Sequence, residues 1–414
     1  MTATEEFFRR SRLYQRLKRG PHEPLAEFYA ERLLADGIAA HGAWRSLNLL
    51  SGLAGWLVGV DLQLADLDED LVERYLRHRS GKQTLQPGDR AALKRLLLTL
   101  RQAGAIAPAS TAAATPHEVI FGAFADYLRK ERGLATASTV RHLPFVRLFL
   151  REVCPAGAGE LGRICQGDVI RFIERHAQDR SPAWGKSMCW ALRSFLRYLH
   201  HKGLNAQPLA TCVPSIRRWR FASLPTYLSA AQVQAVLGAC DRTTALGRRD
   251  YAILLMLAKL GLRASEVATI ALDDIDWRSG EMLIHAKGRQ RARMPLPPEV
   301  GAAIVAYLRD GRPHSPCRRV FLRTLAPHAG FASGCAITMI ARTALDRAGI
   351  RGCAHRGAHL FRHSLASELL RSGATLSQIG QLLRHQSHDA TRVYAKVDFE
   401  ALRPLGLPWP GGAQ

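Results

Sequence analysis

The chain has 414 residues, 47% of them hydrophobic and 22% charged, which is the composition of a globular protein with about two to four domains and excludes a disordered one. Lys and Arg number 58 against 35 acidic residues, and the resulting net charge of +23 predicts a polyanionic partner, DNA or RNA. The apolar runs are too short to span a bilayer and the N-terminus lacks a secretory pattern, so we expect a cytoplasmic protein without membrane contact.

The sequence contains no motif for a metal or a nucleotide cofactor. Its eight cysteines are scattered, with no CxxC pair, which favours reduced thiols over disulfides or a zinc site. It also lacks a nucleotide-binding glycine loop and an acidic cluster of the kind that binds catalytic metals. We therefore expect neither metal nor cofactor.

Two successive helical domains are predicted in the first half, over residues 1–110 and 116–206, with a small-residue linker between them. FADYLRKERGL resembles FYAERLLADGI, which matches Phe28 with Phe124 and Gly37 with Gly133 at an offset of 96 residues. DLVERYL similarly parallels DVIRFIE, and ALKRLLLTLRQAG parallels ALRSFLRYLHHKG at an offset of 99. The pattern predicts a tandem duplication of one helical domain, although any two amphipathic four-helix stretches can be aligned in this way.

A basic linker is predicted over residues 207–226. It contains three prolines and the cluster Arg217, Arg218, Trp219 and Arg220. In an extended segment these arginines would follow DNA phosphates while the indole packs on sugar or protein. An ordinary solvated linker remains an equal alternative.

Residues 227–397 are predicted to form a third domain of helices with a small antiparallel sheet. Ser229 and Gln232 form a capping box that begins its first helix, and DYAILLMLAKLG is a buried helix that ends at Gly261. The alternation in GEMLIHA and RARMPLP predicts a hairpin with Lys287 at its turn, preceded by a strand at residues 274–277. The fold class is thus mainly α with a small antiparallel sheet.

Polar residues near the end of this domain are spaced to meet at one phosphate. His359 and Arg362 are one helical turn apart and share a face. A capping box at Thr375 then begins another helix, His385 follows at its end, and Tyr394 comes nine residues later on a separate short helix. A tyrosine mounted in this way is suited to a nucleophile that enters and leaves a site.

These motifs resemble those of the tyrosine recombinase, or phage integrase, family from about residue 225 to 410. The six matching positions are Arg263 in GLRASEV, Lys287 in IHAKGR, His359 and Arg362 in HLFRH, His385 in LLRHQS and Tyr394 in TRVYAK. The resemblance implies a C-shaped, multi-domain DNA clamp in which residues 116–206 form the all-α core-binding domain.

The resemblance implies that Tyr394 attacks a DNA phosphate, while Arg263 and Arg362 stabilise the charge that develops on its oxygens. Glu266, one turn after Arg263, would support that arginine.

The resemblance also assigns the proton transfers. Lys287 would protonate the departing 5′-oxygen, His359 would assist proton transfer at the tyrosine, and His385 would donate to a non-bridging oxygen. The chain departs from the family at Arg384, where relatives often have glycine, so that charge is added beside the phosphate.

Other basic residues are expected to bind DNA or to surround the site. The DNA-binding candidates are Arg141, Lys186, Arg217, Arg218, Arg220, Arg289 and Arg291. His355, His363 and His388 are interpreted as neighbours of the site or as DNA-facing residues.

The predicted function is a site-specific recombinase that acts on double-stranded DNA through a 3′-phosphotyrosyl intermediate and a Holliday junction, for the integration or transposition of a mobile element. By the same resemblance it would act as a homotetramer in the synaptic complex, with or without companion recombinases, and residues 398–414 would dock on a neighbouring subunit. The alternatives are a topoisomerase-like relaxing enzyme and a non-catalytic architectural or regulatory DNA-binding protein.

Overall fold

The computed structural model describes residues 23–86, 88–108, 116–155, 157–216, 226–285, 290–353, 356–385 and 387–395. Its internal contacts divide the chain into two compact units, one made of Ala109–Ala222 and the other of the segments before and after it. Among the described helices, none combines the length and apolar character that a membrane crossing requires.

The described part of the first segment folds into four α-helices around a core of its own. Their bounds are α1 Glu23–Ala35, α2 Ala40–Gly59, α3 Glu69–Ser80 and α4 Asp89–Gln102. The core is rich in leucine and includes the buried ring of Tyr29, whose hydroxyl donates to Ala92 O at 3.1 Å. Asp89 is buried at the start of α4 and accepts from Arg45 Nη2 at 2.6 Å, which fixes α4 to α2.

In its described residues, the unit Ala109–Ala222 also contains four α-helices around a separate core. Their bounds are α5 Pro116–Asp126, α6 Thr136–Val153, α7 Gln166–Ala177 and α8 Pro182–His201. The helix that begins as α5 continues as a π-helical turn over Tyr127–Glu131. Aromatic rings fill this core, with Phe124 and Phe195 packed edge to face at 5.1 Å.

The core positions of these two four-helix segments follow the same pattern, with one change from the predicted alignment. The buried residues of α4 and α8 coincide at the predicted offset, as in Leu93 and Leu192. In the first helices, however, Phe28 is 39% exposed, and Tyr29 is the buried counterpart of Phe124. The π-helical turn after α5 explains this shift of one residue. It adds one residue to that helix before the glycine at which the helix ends.

The last segment contains eight helices and one sheet in the part that the structure describes. The helices are α9 Ala230–Gly238, α10 Ala245–Leu260, α11 Ala264–Thr269, α12 Pro298–Asp310, α13 Gly334–Arg347, α14 Ala358–Arg371, α15 Leu376–Leu382 and α16 His388–Ala395. The strands are β1 Ile275–Asp276, β2 Glu281–His285 and β3 Arg291–Pro295. The predicted fold class, mainly α with a small antiparallel sheet, is confirmed.

The sheet is antiparallel in the order β1-β2-β3. Met282 pairs with Met294, and both point into the core because alternate residues of a strand share a face. Strand β1 is shorter than predicted, since a 3₁₀ turn over Leu272–Asp274 precedes it and Trp277 already belongs to the turn that follows. The hairpin turn over residues 286–289 lies outside the described residues, and the prediction for Lys287 falls there.

Several helix ends follow the predicted signals. The capping box at Ser229 is present, with its hydroxyl accepting from Gln232 N and its backbone N–H donating to Gln232 Oε1. Thr375 and Gln378 form the same reciprocal pair at the start of α15. Helix α10 is apolar on nearly all sides, because it runs through the core, and it ends at Gly261.

Candidate active site

Helix α14 brings an arginine and two histidines to one place. It begins after Gly357, where a Cβ atom would lie 2.7 Å from Cγ2 of Thr338, so a larger residue would require that threonine to move. Arg362 is 4% exposed. The rings of His359 and His363, one turn apart, pack edge to face with centroids 6.2 Å apart.

The guanidinium of Arg362 joins two turns that carry other site residues. Its Nη1 donates to Gly261 O, after α10, and its Nη2 donates to Leu383 O, after α15. Gly261 has φ +56, and a Cβ there would lie 2.6 Å from Cδ2 of Leu383, so the two turns are in contact. They lead to Arg263 and His385. Burial, followed by the Arg263 charge, lowers the pKa of Arg362 to about 10, so it stays charged at neutral pH.

Glu266 is a buried carboxylate shared by two arginines. Its Oε1 accepts from Arg263 Nη1 at 2.7 Å, and its Oε2 accepts from Arg263 N and from Arg384 Nη2, each at 2.9 Å. Burial acts to raise the pKa of Glu266, but the Arg263 backbone N–H, the Arg384 charge and the Arg263 side chain outweigh it and hold that pKa below its ordinary value. The carboxylate therefore stays ionised and orients both guanidiniums.

Arg384 has a backbone conformation that favours glycine, with φ +53. Its side chain is mostly buried, and its Nη1 contacts Sδ of Met294 on β3. Its carbonyl accepts from Arg263 Nη2 at 3.4 Å. Burial lowers the pKa of Arg384, while Glu266 acts in the opposite direction. The arginine that departs from the family pattern is thus integrated into the site.

The described site carries an excess of positive charge. Three guanidiniums, those of Arg263, Arg362 and Arg384, lie around the single carboxylate of Glu266. The Arg263 side chain is 26% exposed, so it is the most open of the three to a ligand. Fixed guanidiniums of this kind bind the oxygens of an anion such as a phosphate.

We expect Glu266→Gln to lower the free energy of unfolding of this domain by about 3 kcal/mol near pH 7, because it removes the buried counter-charge of two arginines. Since the folded-state pKa of Glu266 is lowered, the carboxylate stabilises the fold above its unfolded pKa, and this contribution is lost as the pH falls through the folded value. The variant should therefore approach wild type in acid.

Urea unfolding followed by hydrogen exchange–mass spectrometry, on peptides from α10 and α14, measures this stability. Glu281→Gln is the matched control, because Glu281 pairs with Arg293 at 3.3 Å on the exposed sheet surface and should change stability by less than about 1 kcal/mol. Equal effects of the two substitutions would contradict the role of Glu266.

Tyr394 lies on α16 with its ring buried. It is 1% exposed and packs with Ala366, Ile379 and Leu383. Burial raises the pKa of Tyr394 to about 12, against the opposing effect of the Arg362 charge. The phenol is therefore protonated at neutral pH and needs a proton acceptor to become a nucleophile.

Two histidines flank the Tyr394 ring. His363 Nδ1 lies 2.9 Å from the tyrosine Oη. The His385 ring lies parallel to the tyrosine ring at 6.3 Å, and its Nδ1 is 2.7 Å from Thr391 Oγ1. Burial, followed by the Arg362 charge, lowers the pKa of His385 to about 4, so this imidazole is neutral at physiological pH.

The structure places five of the six predicted catalytic residues in one site and assigns one contact that the sequence interpretation did not foresee. The five are Arg263, His359, Arg362, His385 and Tyr394, whereas Lys287 lies outside the described residues. His363 is a neighbour of the site, one of the two roles that the sequence predicts for it, since it is half-buried and contacts the tyrosine hydroxyl. The sequence offered one indication of this contact, because the HLFRH motif puts His363 one helical turn after His359.

The predicted DNA-binding residues are only partly described. Arg217, Arg218 and Arg220 lie in residues 217–225 and Arg289 in residues 286–289, outside the described residues. Arg141 on α6, Lys186 on α8 and Arg291 on β3 are exposed. Their role on DNA stays a prediction.

Comparison with known proteins identifies the family. Residues 226–401 match the model of the phage integrase family. The protein named integrase/recombinase y4rA of Sinorhizobium fredii (strain NBRC 101917 / NGR234) is 39% identical over 403 residues, which cover 96% of this chain and 98% of that protein. The chain belongs to the phage integrase family. The family predicted from the six motifs is thereby confirmed.

Other members of the family show the same relationship. Tyrosine recombinase XerC of Oceanobacillus iheyensis (strain DSM 14371) is 27% identical over 295 residues, which cover 69% of this integrase-family chain and 94% of XerC. A structure of XerH recombinase bound to palindromic difH substrate has a TM-score of 0.52 at 16% identity and covers 71% of this chain and 97% of XerH. A lambda integrase dimer bound to a COC′ core site has a TM-score of 0.50 at 14% identity, with coverages of 71% and 98%. These structures show a shared fold.

Proposed function

We propose that this integrase-family protein is a site-specific DNA recombinase that cleaves and rejoins double-stranded DNA through a 3′-phosphotyrosyl link on Tyr394 and a Holliday junction. The observation that carries the proposal is the convergence of the Tyr394 hydroxyl, its histidine partner and the buried Arg362 in one site. Family membership and the net charge of +23 support the same conclusion.

The arginines would stabilise the transition state of cleavage. Attack by Tyr394 on phosphorus adds negative charge to the non-bridging oxygens, and Arg263 and Arg362 are held in place before that charge appears. Glu266 would orient Arg263 without neutralising the site, because Arg384 shares its charge.

The histidine after α15 would contribute a neutral hydrogen-bond donor. When Nδ1 of His385 accepts from the Thr391 hydroxyl, its ring proton is on Nε2, from where it can donate to a phosphate oxygen. Lys287 would supply the proton to the departing 5′-oxygen, so that the energy of the broken phosphodiester bond is kept in the phosphotyrosyl link.

The two helical domains would differ in how much they contact the DNA duplex. We propose that residues 116–206 form the core-binding domain of the clamp and that residues 1–110 are a duplicated copy of it. The described residues 23–108 contain 10 basic and 11 acidic side chains, whereas residues 116–206 contain 14 and 8. The second copy therefore has the charge for backbone contacts, with Arg141 and Lys186 exposed on it, and the first does not.

The function is tested with a DNA duplex nicked close to the scissile phosphate, so that cleavage releases a short strand and traps the covalent intermediate. The duplex carries the ends of the genetic element that contains the gene, and the protein is used with chelator present. A covalent adduct that survives denaturant, with the DNA attached to the peptide that contains Tyr394 by mass spectrometry, is expected. Tight DNA binding without any adduct would overturn the proposal in favour of an architectural DNA-binding protein.

We further propose that recombination occurs in a homotetramer, with or without companion recombinases, and serves integration or transposition of a mobile element. Residues 398–414 would contribute to assembly by docking on a neighbouring subunit. Deletion of residues 402–414 should leave the affinity for a single site within about twofold and reduce synapsis and strand exchange by about tenfold or more, since only the contact between subunits is lost. Single-site gel shifts and paired-site recombination assays measure the two effects, and full recombination by the deleted protein would contradict this role.

A further inference from the structure

The hydroxyl of Tyr394 has a hydrogen-bond partner that the family motifs do not assign to it. Nδ1 of His363 lies 2.9 Å from the tyrosine Oη, with the ring centroids 5.6 Å apart and the planes inclined by 58°. The inclined planes exclude ring stacking, and the Nδ1–Oη distance is that of a hydrogen bond, in which the hydroxyl donates when the ring proton of His363 is on Nε2. The contact joins α14 to α16 inside the domain.

The other two histidines of the site are oriented differently. His385 lies parallel to the Tyr394 ring and uses its Nδ1 on Thr391. His359 packs on the ring of His363 at 6.2 Å. Of the three, His363 is therefore the one whose ring nitrogen lies within hydrogen-bond distance of the hydroxyl in the described structure.

We infer that His363 is a catalytic residue that accepts the hydroxyl proton of Tyr394 during DNA cleavage and returns it during re-ligation. The inference rests on the proposed function and deepens it. It moves to His363 the role that the family resemblance implied for His359.

Atoms and charge are conserved in this proton transfer and cleavage step. The Tyr394 Oη forms a bond to phosphorus while the bond between phosphorus and the 5′-oxygen breaks. The hydroxyl proton passes to Nδ1 of His363, which becomes an imidazolium, and the departing 5′-oxygen takes a proton from Lys287 in the scheme above. Re-ligation reverses each transfer.

The surroundings suit a neutral base that becomes charged only briefly. Among the described residues, the titratable and charged groups that face His363 include His359 and Arg362 on α14, Tyr394 on α16 and His385 in the turn before it. Burial lowers the pKa values of His359 and His385, so these rings are neutral at physiological pH and add no charge beside His363. The Arg362 charge favours the phenolate that the transfer creates.

His363→Gln is the primary test, because a glutamine oxygen can accept a hydrogen bond from the Tyr394 hydroxyl but cannot take its proton. Single-turnover adduct formation on the nicked duplex should fall by about 10²- to 10⁴-fold, the range of general-base catalysis, with DNA affinity within about twofold of wild type. His314→Gln, at an exposed histidine after α12, should leave both quantities unchanged.

A second measurement separates proton transfer from simple positioning. A fluorinated tyrosine at position 394 has a more acidic phenol and depends less on a base. It should restore adduct formation in His363→Gln by about tenfold or more and give no such gain in Arg362→Lys, where charge stabilisation is the defect.

Each outcome decides the inference. A wild-type rate for His363→Gln, or a slow rate that the fluorinated tyrosine does not improve, would overturn the role of His363 while leaving Tyr394 as the nucleophile. Absence of an adduct with the wild-type protein would instead reject the proposed function itself, so the two failures are distinguishable.

Discussion

Tyr394→Phe is expected to abolish the covalent protein–DNA adduct and all strand cleavage, a loss larger than that of any other single substitution in the site. The substitution removes one oxygen, and that oxygen is the atom proposed to bond to phosphorus. Arginines and histidines that stabilise the transition state cannot compensate, because no nucleophile remains in their reach. Adduct formation on nicked DNA, followed over hours, measures the effect.

The fold should tolerate this substitution. The phenylalanine ring at position 394 would still fill the space among Ala366, Ile379 and Leu383. Loss of the hydrogen bond to His363 should lower the free energy of unfolding by about 1 kcal/mol. DNA affinity should therefore stay within about twofold of wild type. Loss of binding together with cleavage would indicate that the variant is misfolded rather than chemically inactive.

Tyr307→Phe is the matched control for the nucleophile. Tyr307 is also 1% exposed in the same domain, and its hydroxyl accepts from Leu322 N at 3.2 Å. Loss of the Tyr307 hydroxyl should lower the free energy of unfolding by a similar amount without changing DNA cleavage. An adduct that survives Tyr394→Phe would mean that another residue attacks the DNA.

Local signals in the sequence predicted the elements that position the site. Side chains only three residues apart form the capping boxes at Ser229 and Thr375, so their geometry is set by short-range hydrogen bonds. Gly261 similarly ends α10 because it has a positive φ, and the helix before it is apolar enough to be recognised as buried. These features depend little on the rest of the fold.

The contacts that refine the site could not be read from the sequence, because they join distant segments. The bond between His363 and Tyr394 depends on the rotation of α16 against α14, which packing around the tyrosine ring decides. The sequence shows Arg384 as a departure from the family pattern, but its pairing with Glu266 requires that two turns far apart in the chain meet. Neither the spacing nor the residue type specifies such a meeting.

The register between the two four-helix segments could not be predicted from the sequence either, for a physical reason. A single π-helical turn adds one residue without ending the helix. The glycines that follow the first helix of each segment can therefore be aligned, but the residues before the turn are then shifted by one position. Matching Phe28 with Phe124 therefore paired an exposed ring with a buried one. Burial, which decides the equivalence, depends on where the neighbouring helices pack.

Arg362→Lys is expected to slow adduct formation by about 10²- to 10³-fold or more, equivalent to about 3–4 kcal/mol of transition-state stabilisation. Lysine keeps the charge but loses the fork that donates to Gly261 O and Leu383 O, and these bonds hold the Arg263 and His385 turns together. Leaving one of these buried carbonyls unpaired should also lower the free energy of unfolding by about 1–3 kcal/mol. Single-turnover cleavage and urea unfolding measure the two losses separately.

The chemical part of this effect can be separated from the structural part by changing the substrate. A scissile phosphate in which a methyl group replaces one non-bridging oxygen carries no negative charge, so it needs less cationic stabilisation. If Arg362 neutralises that charge, the deficit of Arg362→Lys should shrink by about tenfold or more on the neutral substrate. Arg371→Lys, at the exposed end of the same helix, should cleave both substrates like wild type. An equal deficit of Arg362→Lys on both substrates would mean that Arg362 acts only by holding the two turns together.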